Sequence, residues 1–214
     1  VGHSSPPPPP SSSAARAPGS STRGTMLGTP LVGSVEWFLR KYGKTAAHDV
    51  VARISPQWRG LLLPHSPMLG IVGGRKYPYA FVGEMVLTMA KVVHAPDEDE
   101  FIRDLAREGI DAAVSTAMRI LLRYAATPAS LAARGQEAWD MFMDCGRVSI
   151  LSITKNEYVS QVTDWSGHDV TVCKVVMEVR RRLIERTGAR NVTARREKCQ
   201  AWGHPSCNTR VQWE

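Results

Sequence analysis

Apolar residues recur at helical spacing through the first two-thirds of the chain. Leu31, Val35 and Phe38 lie on one face of a helix that Gly43 should end. The clearest pattern begins at Asp97, where four acidic residues precede regularly spaced apolar ones, an order that the helix dipole favours. The spacing predicts helices over 30–43, 46–54, 78–93, 97–125 and 127–142.

The pattern changes to short β-branched runs after Gly146. Lys155-Asn156-Glu157 separates two such runs, which predicts a hairpin. The segment from Ser166 to Asp169 offers a capping box for a helix that Gly188 should end. The predicted elements are strands 147–154 and 158–164, a helix to 187, and a second hairpin with strands 191–199 and 207–213. Helices followed by a β-β-α-β-β unit indicate an α+β domain, with an antiparallel sheet packed by helices.

The first 23 residues differ in composition from the rest. Pro6 to Pro10 and the three serines after them contain no large apolar side chain, so they cannot bury enough surface to order the chain. We predict a disordered Pro/Ser-rich tail over 1–23 and a single α+β domain over 24–214. No apolar run follows Val1, no stretch reaches the ~18 apolar residues of a membrane span, and four cysteines are too few for a secreted disulfide scaffold. These features predict a cytoplasmic protein.

Positive charge is concentrated near the end of the chain. The net charge is +7, and residues 174–198 contain nine basic residues against three glutamates. Arg180, Arg181 and Arg182 are the candidates for a basic face that binds a partner. A solvated helix face would have the same composition. Nucleic acid is not expected as the partner, because no helix-turn-helix or interleaved aromatic platform accompanies the arginines.

Signatures of catalysis are missing from the sequence. Gly70 to Gly74 lacks the spacing of a phosphate-binding loop, and there is no nucleophile elbow or paired-histidine zinc helix. The six histidines are scattered along the chain. The sequence therefore predicts a protein that is not an enzyme.

Three of the four cysteines are candidate metal ligands. Cys199 and Cys207 are separated by seven residues across a tight loop, and Cys173 lies on the preceding helix. Such a set can supply three ligands to tetrahedral zinc, with Glu197 or His204 as the fourth. The alternative is that the three thiols are reduced core residues that only fill space. Cys145 lies apart from them in the sequence.

The terminal hairpin resembles a known group of domains. The motifs that carry the resemblance are 188–192, the segment Cys199-Gln200-Ala201-Trp202-Gly203-His204-Pro205-Ser206-Cys207, and 211–214, together with Gly24-Thr25-Met26, 38–43, Leu63-Pro64 and Tyr77-Pro78 near the start. They resemble four-vinyl-reductase-like domains, also called predicted hydrocarbon-binding domains, and most closely a myxobacterial paralogue family without an assigned activity. These domains are related in fold to TRAPP subunits and to haem-NO-binding sensors. The resemblance covers about 24–214.

The resemblance implies a zinc site. Phenol-sensing members hold the metal with a helix cysteine, a glutamate and two hairpin cysteines, and the cysteines match Cys173, Cys199 and Cys207. The glutamate is expected at the position of Arg196. Glu197 is one residue late, which in a regular strand puts it on the opposite face. A β-bulge at Glu197 or substitution by His204 would restore the fourth ligand.

The related haem sensors bind the haem propionates with a Tyr-x-Ser-x-Arg motif. Tyr158 and Ser160 match its first two positions, but Val162 replaces the arginine. On this basis the sequence predicts a structural zinc ion and does not predict haem.

The resemblance implies a non-catalytic sensory or regulatory domain with a pocket between helices and sheet. The pocket would bind a small apolar or aromatic ligand. The candidates to line it are Trp58, Tyr79, Phe81, Trp139 and Trp165. The alternative is a TRAPP-like homodimeric assembly module that presents its basic face to a protein partner.

Overall fold

The computed structural model describes residues 24–113 and 127–214. Within these ranges the helices are α1 (Thr29–Arg53), α2 (Tyr79–Val92), α3 (Glu98–Ala113), α4 (Pro128–Ala133), α5 (Gly135–Asp140) and α6 (Val170–Glu185). The strands are β1 (Thr25–Leu27), β2 (Lys76–Pro78), β3 (Arg147–Ile153), β4 (Glu157–Thr163), β5 (Thr193–Lys198) and β6 (Cys207–Gln212). The predicted tail over 1–23 and the 114–125 part of the predicted fourth helix lie outside the described residues. The α+β class is confirmed.

Helix α1 is sharply kinked at Gly43. This residue has φ 82° and ψ 175°, and a side chain at this φ would be strained. The kink divides α1 where the sequence predicts that one helix ends and the next begins. Val35, Phe38 and Val50 are buried on the two sides of the kink, so both parts contribute to the core.

The N-terminal half includes a small sheet that the periodicity did not predict. β1 and β2 pair antiparallel, with Met26 opposite Tyr77. The segment between α1 and β2 contains two 3₁₀ turns, Pro56–Leu61 and Pro67–Gly70. Strands of three residues are too short to produce a recognisable alternation, because period-2 patterns need about four residues or more.

The C-terminal half is a four-stranded antiparallel sheet with the order β3-β4-β6-β5. Both predicted hairpins are present, since β3 pairs with β4 and β5 with β6. The last strand, β6, inserts between β4 and β5, so the sheet joins the two hairpins into one surface. Helix α6 crosses between the hairpins and packs against this sheet and against α3.

The start of α6 is fixed by Asp169. Its carboxylate Oδ1 accepts hydrogen bonds from the backbone N–H of Thr171 and Val172, both at 2.9 Å. The cap is therefore Asp169 itself, whereas the predicted capping box began at Ser166. Gly83 of α2 packs against this carboxylate so closely that a Cβ atom there would lie 2.2 Å from Oδ1.

The buried side chains form two clusters. One lies among α1, α2 and α3 and extends to Cys173, Cys199 and Cys207. The other lies between α6 and the sheet and includes Tyr158 and Leu183. In the ranges that the structure describes, no helix combines the length and apolar character needed to cross a bilayer.

Candidate functional site

Four side chains converge at the N-terminal end of α6. Cys173 lies in the first turn of α6, Cys199 follows β5, Cys207 begins β6, and His168 lies in the loop that precedes α6. The sulfur atoms of Cys199 and Cys207 are 3.8 Å apart, and Nε2 of His168 is 3.6 Å from Sγ of Cys199. All four ligand atoms lie within 4.8 Å of one another. We call His168, Cys173, Cys199 and Cys207 the thiol cluster.

The geometry of the thiol cluster suits tetrahedral zinc. Zinc–sulfur bonds of about 2.3 Å place two thiolates of a tetrahedron about 3.8 Å apart. The Cys199–Cys207 separation of 3.8 Å has this value. Three cysteines and one histidine are also a ligand set typical of structural zinc sites. The three cysteines are buried and His168 is half-buried, so no ligand position of the set faces open solvent.

Neither residue predicted as the fourth ligand belongs to the thiol cluster. A β-bulge, one of the two alternatives for restoring the fourth ligand, is present between Arg196 and Lys198, but Glu197 is not part of the thiol cluster. Instead Glu197 accepts a hydrogen bond from Nε of Arg210 at 2.6 Å. The side chain of His204 is exposed in the hairpin loop. The fourth side chain of the thiol cluster is His168, which lies 31 residues before Cys199 in the sequence.

Arg196 occupies the position where a glutamate was expected and faces the thiol cluster with a positive charge. Its Nη1 lies 3.7 Å from Sγ of Cys199, and its guanidinium lies 5.6 Å from the ring of Trp202. Nε and Nη2 are buried without a hydrogen-bond partner among the described residues. A buried cation beside the sulfurs favours their thiolate form.

The protonation of Cys173 and Cys207 is unequal. A hydrogen bond with the Cys173 thiol holds the pKa of Cys207 well below its usual range, and His168 and the backbone N–H of Gln200 add to this effect. The same hydrogen bond and burial raise the pKa of Cys173. The thiol cluster therefore already stabilises a thiolate at Cys207, the form that binds metal.

Cys145 lies outside the thiol cluster. Its Sγ is 3.8 Å from the hydroxyl of Tyr79 and 3.4 Å from the carbonyl oxygen of Ser166. Burial raises the pKa of this thiol. Cys145 is thus a neutral, half-buried side chain in contact with the core.

A cavity of about 100 Å³ lies between α6, the β3–β4 hairpin and the two short helices α4 and α5. Its wall is almost entirely apolar. The lining side chains include Leu131, Ala138, Trp139, Phe142, Met143, Val148, Ile150, Tyr158, Val176, Val179, Leu183 and Ile184.

One end of the cavity is polar. Arg180 of α6 and Ser160 of β4 both line it, and Nη1 of Arg180 donates a hydrogen bond to Oγ of Ser160 at 2.8 Å. The guanidinium also lies 5.9 Å from the ring centre of Trp139. Ser160 is buried, so the hydrogen bond between Arg180 and Ser160 is a polar contact within the wall of the cavity.

The structure places one of the five aromatic residues predicted to line a pocket at the cavity, although the ring of Trp165 lies 4.9 Å from that of Trp139. Trp139 lines the cavity. The other four pack in the core instead: the rings of Trp58 and Phe81 are 6.0 Å apart, and those of Tyr79 and Trp165 are 5.9 Å apart. Most cavity residues could not be predicted from the sequence, because the apolar stripe of α6 has the same spacing whether it faces a packed core or an open space.

The three arginines predicted to form a basic partner-binding face do not form one. Arg181 pairs with Glu178 at 2.8 Å, and Arg182 pairs with Asp111 of α3 at 2.7 Å. Arg180 turns into the cavity. Acidic side chains of neighbouring turns and of α3 therefore neutralise charge that the sequence assigned to an open face.

Comparison with known proteins identifies the fold. No protein family model and no curated protein sequence matches this chain. Three similar solved structures are the Fe(II) unliganded H-NOX protein from K. algicida, the S. oneidensis H-NOX protein in the Fe(II)NO ligation state, and an oxygen-binding H-NOX domain related to soluble guanylate cyclases. Their TM-scores are 0.66, 0.62 and 0.60, at 10%, 9% and 10% identity. They cover 88%, 87% and 88% of this chain, and 97%, 99% and 95% of their own.

The chain has an H-NOX-like fold. The predicted relation in fold to haem-NO-binding sensors is confirmed. Identities near 10% establish the fold alone, so ligand and activity do not transfer with it.

The prediction that set haem aside is wrong. The similar structures belong to haem-NO-binding sensors, and two of the three are titled as Fe(II) forms. The absence of the motif's arginine at Val162 also no longer argues against haem. Arg180 of α6 donates a hydrogen bond to Ser160 and so brings a guanidinium to the same serine. The described cavity residues nevertheless include no histidine to bind iron, and about 100 Å³ is below the roughly 300–1,000 Å³ of cofactor sites. The described part of the cavity therefore does not by itself supply a haem site, and we derive no step through a haem group.

Proposed function

We propose that this chain is a non-catalytic sensory domain that binds a small apolar or aromatic molecule in the cavity beside α6. The observation that carries the proposal is the apolar cavity between α6, the β3–β4 hairpin and Trp139. An apolar cavity of comparable size in another protein stays dry and binds benzene. A single aromatic ring is therefore the size of ligand that this cavity suits.

We also propose that the thiol cluster holds a structural zinc ion. Cys173 belongs to α6, whereas Cys199 and Cys207 belong to the terminal hairpin. A shared metal would clamp the N-terminal end of α6 to β5 and β6. Because such a site forms only in the folded chain, metal binding would contribute directly to folding stability.

Membership of the four-vinyl-reductase-like domains also remains a proposal. We propose that residues 24–214 form one four-vinyl-reductase-like domain of the myxobacterial type and act in the cytoplasm. The neutralised arginines remove the main support for a TRAPP-like assembly surface. A homodimer stays a prediction, which sedimentation of the purified protein would test.

The ligand proposal is tested by thermal denaturation against a panel of single-ring aromatic and short apolar compounds. Haemin is measured separately, because two of the similar H-NOX proteins are Fe(II) forms, and a shift with haemin alone would contradict a ligand of single-ring size. A ligand that binds only the folded state at about 100 times its Kd should raise the melting temperature by roughly 5–10 °C. If no compound raises the melting temperature, the proposal is wrong.

A matched pair of variants locates the binding. Ala138 lines the cavity, so Ala138→Phe should fill it and abolish the shift. Ala133 of α4 is exposed and does not line the cavity, so Ala133→Phe should keep the shift. An equal shift in both variants would show that the compound binds elsewhere.

A further inference from the structure

The segment between α1 and β2 exposes two large apolar side chains. Leu63 is 56% exposed and Val72 is 57% exposed. The residues beside them in the sequence are held in the core, since Leu62 and Ile71 are buried. Single exposed apolar residues are common on protein surfaces, but a group of them marks an interaction site.

Leu63 and Val72 belong to one surface. The backbone N–H of Leu63 donates a hydrogen bond to the carbonyl oxygen of Leu69 at 2.7 Å, which joins the two sides of this segment. A Cβ atom at Gly70 would lie 2.9 Å from Cβ of Leu63. Leu63 therefore contacts the residue that lies two positions before Val72.

The turn between these two side chains is held in a strained conformation. Met68 and Leu69 have φ angles of 52° and 55°, in the left-handed region that bulky residues rarely adopt. Leu69 is nevertheless buried, so its packing holds the turn in place. Backbone strain of this kind persists where the surrounding structure enforces it, and it is concentrated at functional sites. The exposure of Leu63 and Val72 is thus a fixed feature of the fold.

Positive charge borders the two apolar side chains. Arg59, Arg75 and Lys76 are exposed. The backbone N–H of Arg75 donates a hydrogen bond to the carbonyl oxygen of Val72, and the carbonyl oxygen of Arg59 accepts one from Leu62, both at 3.1 Å. None of the three cations forms an ion pair with a described residue. We use the name loop surface for Arg59, Leu63, Val72, Arg75 and Lys76.

The charge around the loop surface has one sign. Residues 50–83 contain four arginine or lysine residues and no aspartate or glutamate. Elsewhere on the same half of the protein, basic side chains pair with acidic ones, as Arg40 does with Glu108 at 2.8 Å. An anionic bilayer presents a uniformly negative surface above an apolar interior, which matches cations placed around aliphatic side chains. The centre of a protein interface is more often formed by aromatic side chains and arginine.

From these observations we infer that the loop surface binds an anionic lipid bilayer. Leu63 and Val72 enter the headgroup region, and the three cations contact lipid phosphates. This binding is peripheral and reversible, because two aliphatic side chains and three charges contribute far less than a membrane-spanning helix. It is independent of the cavity and of the thiol cluster, which share no residue with the loop surface.

The test is co-sedimentation of the purified chain with phosphatidylcholine vesicles that contain about 30% phosphatidylserine, compared with phosphatidylcholine alone. The chain should sediment with the anionic vesicles, and the bound fraction should fall as salt is added. Arg75→Glu combined with Lys76→Glu should weaken binding at least about 25-fold, because each basic residue near an anionic surface contributes about fivefold. Lys155→Glu combined with Lys198→Glu is the matched control. Both lysines are exposed outside the loop surface, so this variant should bind within about threefold of the natural chain.

A second pair of variants tests the apolar part of the loop surface. Leu63→Ser combined with Val72→Ser should weaken vesicle binding about tenfold, because it removes the apolar area that enters the bilayer. Leu151→Ser combined with Ile153→Ser is its control, since these residues of β3 are 52% and 44% exposed. All four side chains are exposed, so thermal denaturation should show that each variant folds like the natural chain.

Three outcomes would overturn the inference. The first is a natural chain that does not sediment with the anionic vesicles at low salt. The second is an equal loss of binding in the loop-surface variants and in their controls. The third is retention on immobilised polyglutamate that depends on Arg75 and Lys76, without vesicle binding, which would assign the loop surface to an acidic protein. The proposed function stands in all three cases, because the cavity is tested by other ligands and variants.

Discussion

At the scale of single residues, a comparison of His168 with His204 tests whether the thiol cluster binds zinc or is a set of buried thiols. His168 lies 3.6 Å from Sγ of Cys199, whereas His204 is exposed in the hairpin loop although it lies between Cys199 and Cys207 in the sequence. We expect His168→Ala to lower the zinc content of the purified protein to a small fraction of one ion per chain. Loss of a ligand removes a metal bond that the remaining three cannot replace. The measurement is zinc by mass spectrometry of the digested protein.

The control for this prediction is His204→Ala, which should retain one zinc ion per chain. Each single replacement of Cys173, Cys199 or Cys207 by serine should behave like His168→Ala, and Cys145→Ser should behave like His204→Ala. Zinc lost equally from both histidine variants would contradict the assignment of His168. If the natural protein contains no zinc, the thiol cluster is a set of buried thiols.

Arg196 has a separate role at the same site. Three thiolates and one imidazole around Zn²⁺ leave one negative charge, and the guanidinium of Arg196 lies 3.7 Å from one of the sulfurs. Arg196→Gln should therefore weaken zinc binding about 10- to 100-fold, the usual range for groups that contact metal ligands. Competition with a zinc chelator measures this affinity. Arg195→Gln is the control, because Arg195 is exposed on the same strand, and equal effects of the two variants would contradict a specific role.

At the scale of elements, the contact between α2 and the start of α6 positions His168 and Cys173. A Cβ atom at Gly83 would lie 2.2 Å from the carboxylate of Asp169, which caps α6. Gly83→Ala should destabilise the protein by roughly 1–3 kcal/mol, since it displaces the cap and overpacks the contact. Chemical denaturation measures this change. Gly60→Ala should have little effect, because no atom lies within 4 Å of its Cβ position, and similar losses for both variants would contradict the model of this contact.

The sequence predicted the helices and strands better than it predicted which of them lie next to each other. The β-β-α-β-β order follows from local signals, such as the Lys155–Glu157 turn and the Gly188 stop, and these are confirmed. The insertion of β6 between β4 and β5 depends on pairing between distant strands, which periodicity does not encode. The sequence predicted the two short helices α4 and α5 as one continuous helix, because the apolar spacing continues across Arg134 and Gly135 was not interpreted as a break.

The residues of the candidate sites were likewise predictable only where the local sequence carries a specific signal. Cys173, Cys199 and Cys207 were predictable because cysteine is rare in the chain and its chemistry is specific. His168 was not, since one histidine in a loop carries no pattern of its own. Arg180 was grouped with Arg181 and Arg182, although successive helical residues differ by about 100° in direction and so face different surroundings.

At the scale of the whole molecule, α6 connects the two candidate sites. Its first turn contributes Cys173 to the thiol cluster, and its later turns contribute one face to the cavity, namely Val176, Val179, Arg180, Leu183 and Ile184. Helix α6 also contacts α3 through Arg182 and Arg186, which both bind Asp111. A ligand in the cavity thus contacts a helix that is held at its other end by the cluster and along its side by α3. In a sensory domain such a helix can transmit binding to the rest of the protein.

Native mass spectrometry of the purified chain tests the central claim, that α6 carries a metal clamp at one end and a ligand cavity along the rest, most directly. With the panel of single-ring aromatic compounds added, the natural chain should show one zinc ion and one bound compound. Ala138→Phe should keep the zinc and lose the compound, because it fills the cavity without contacting the thiol cluster. A natural chain that binds no compound, or an Ala138→Phe variant that binds it unchanged, would contradict the account.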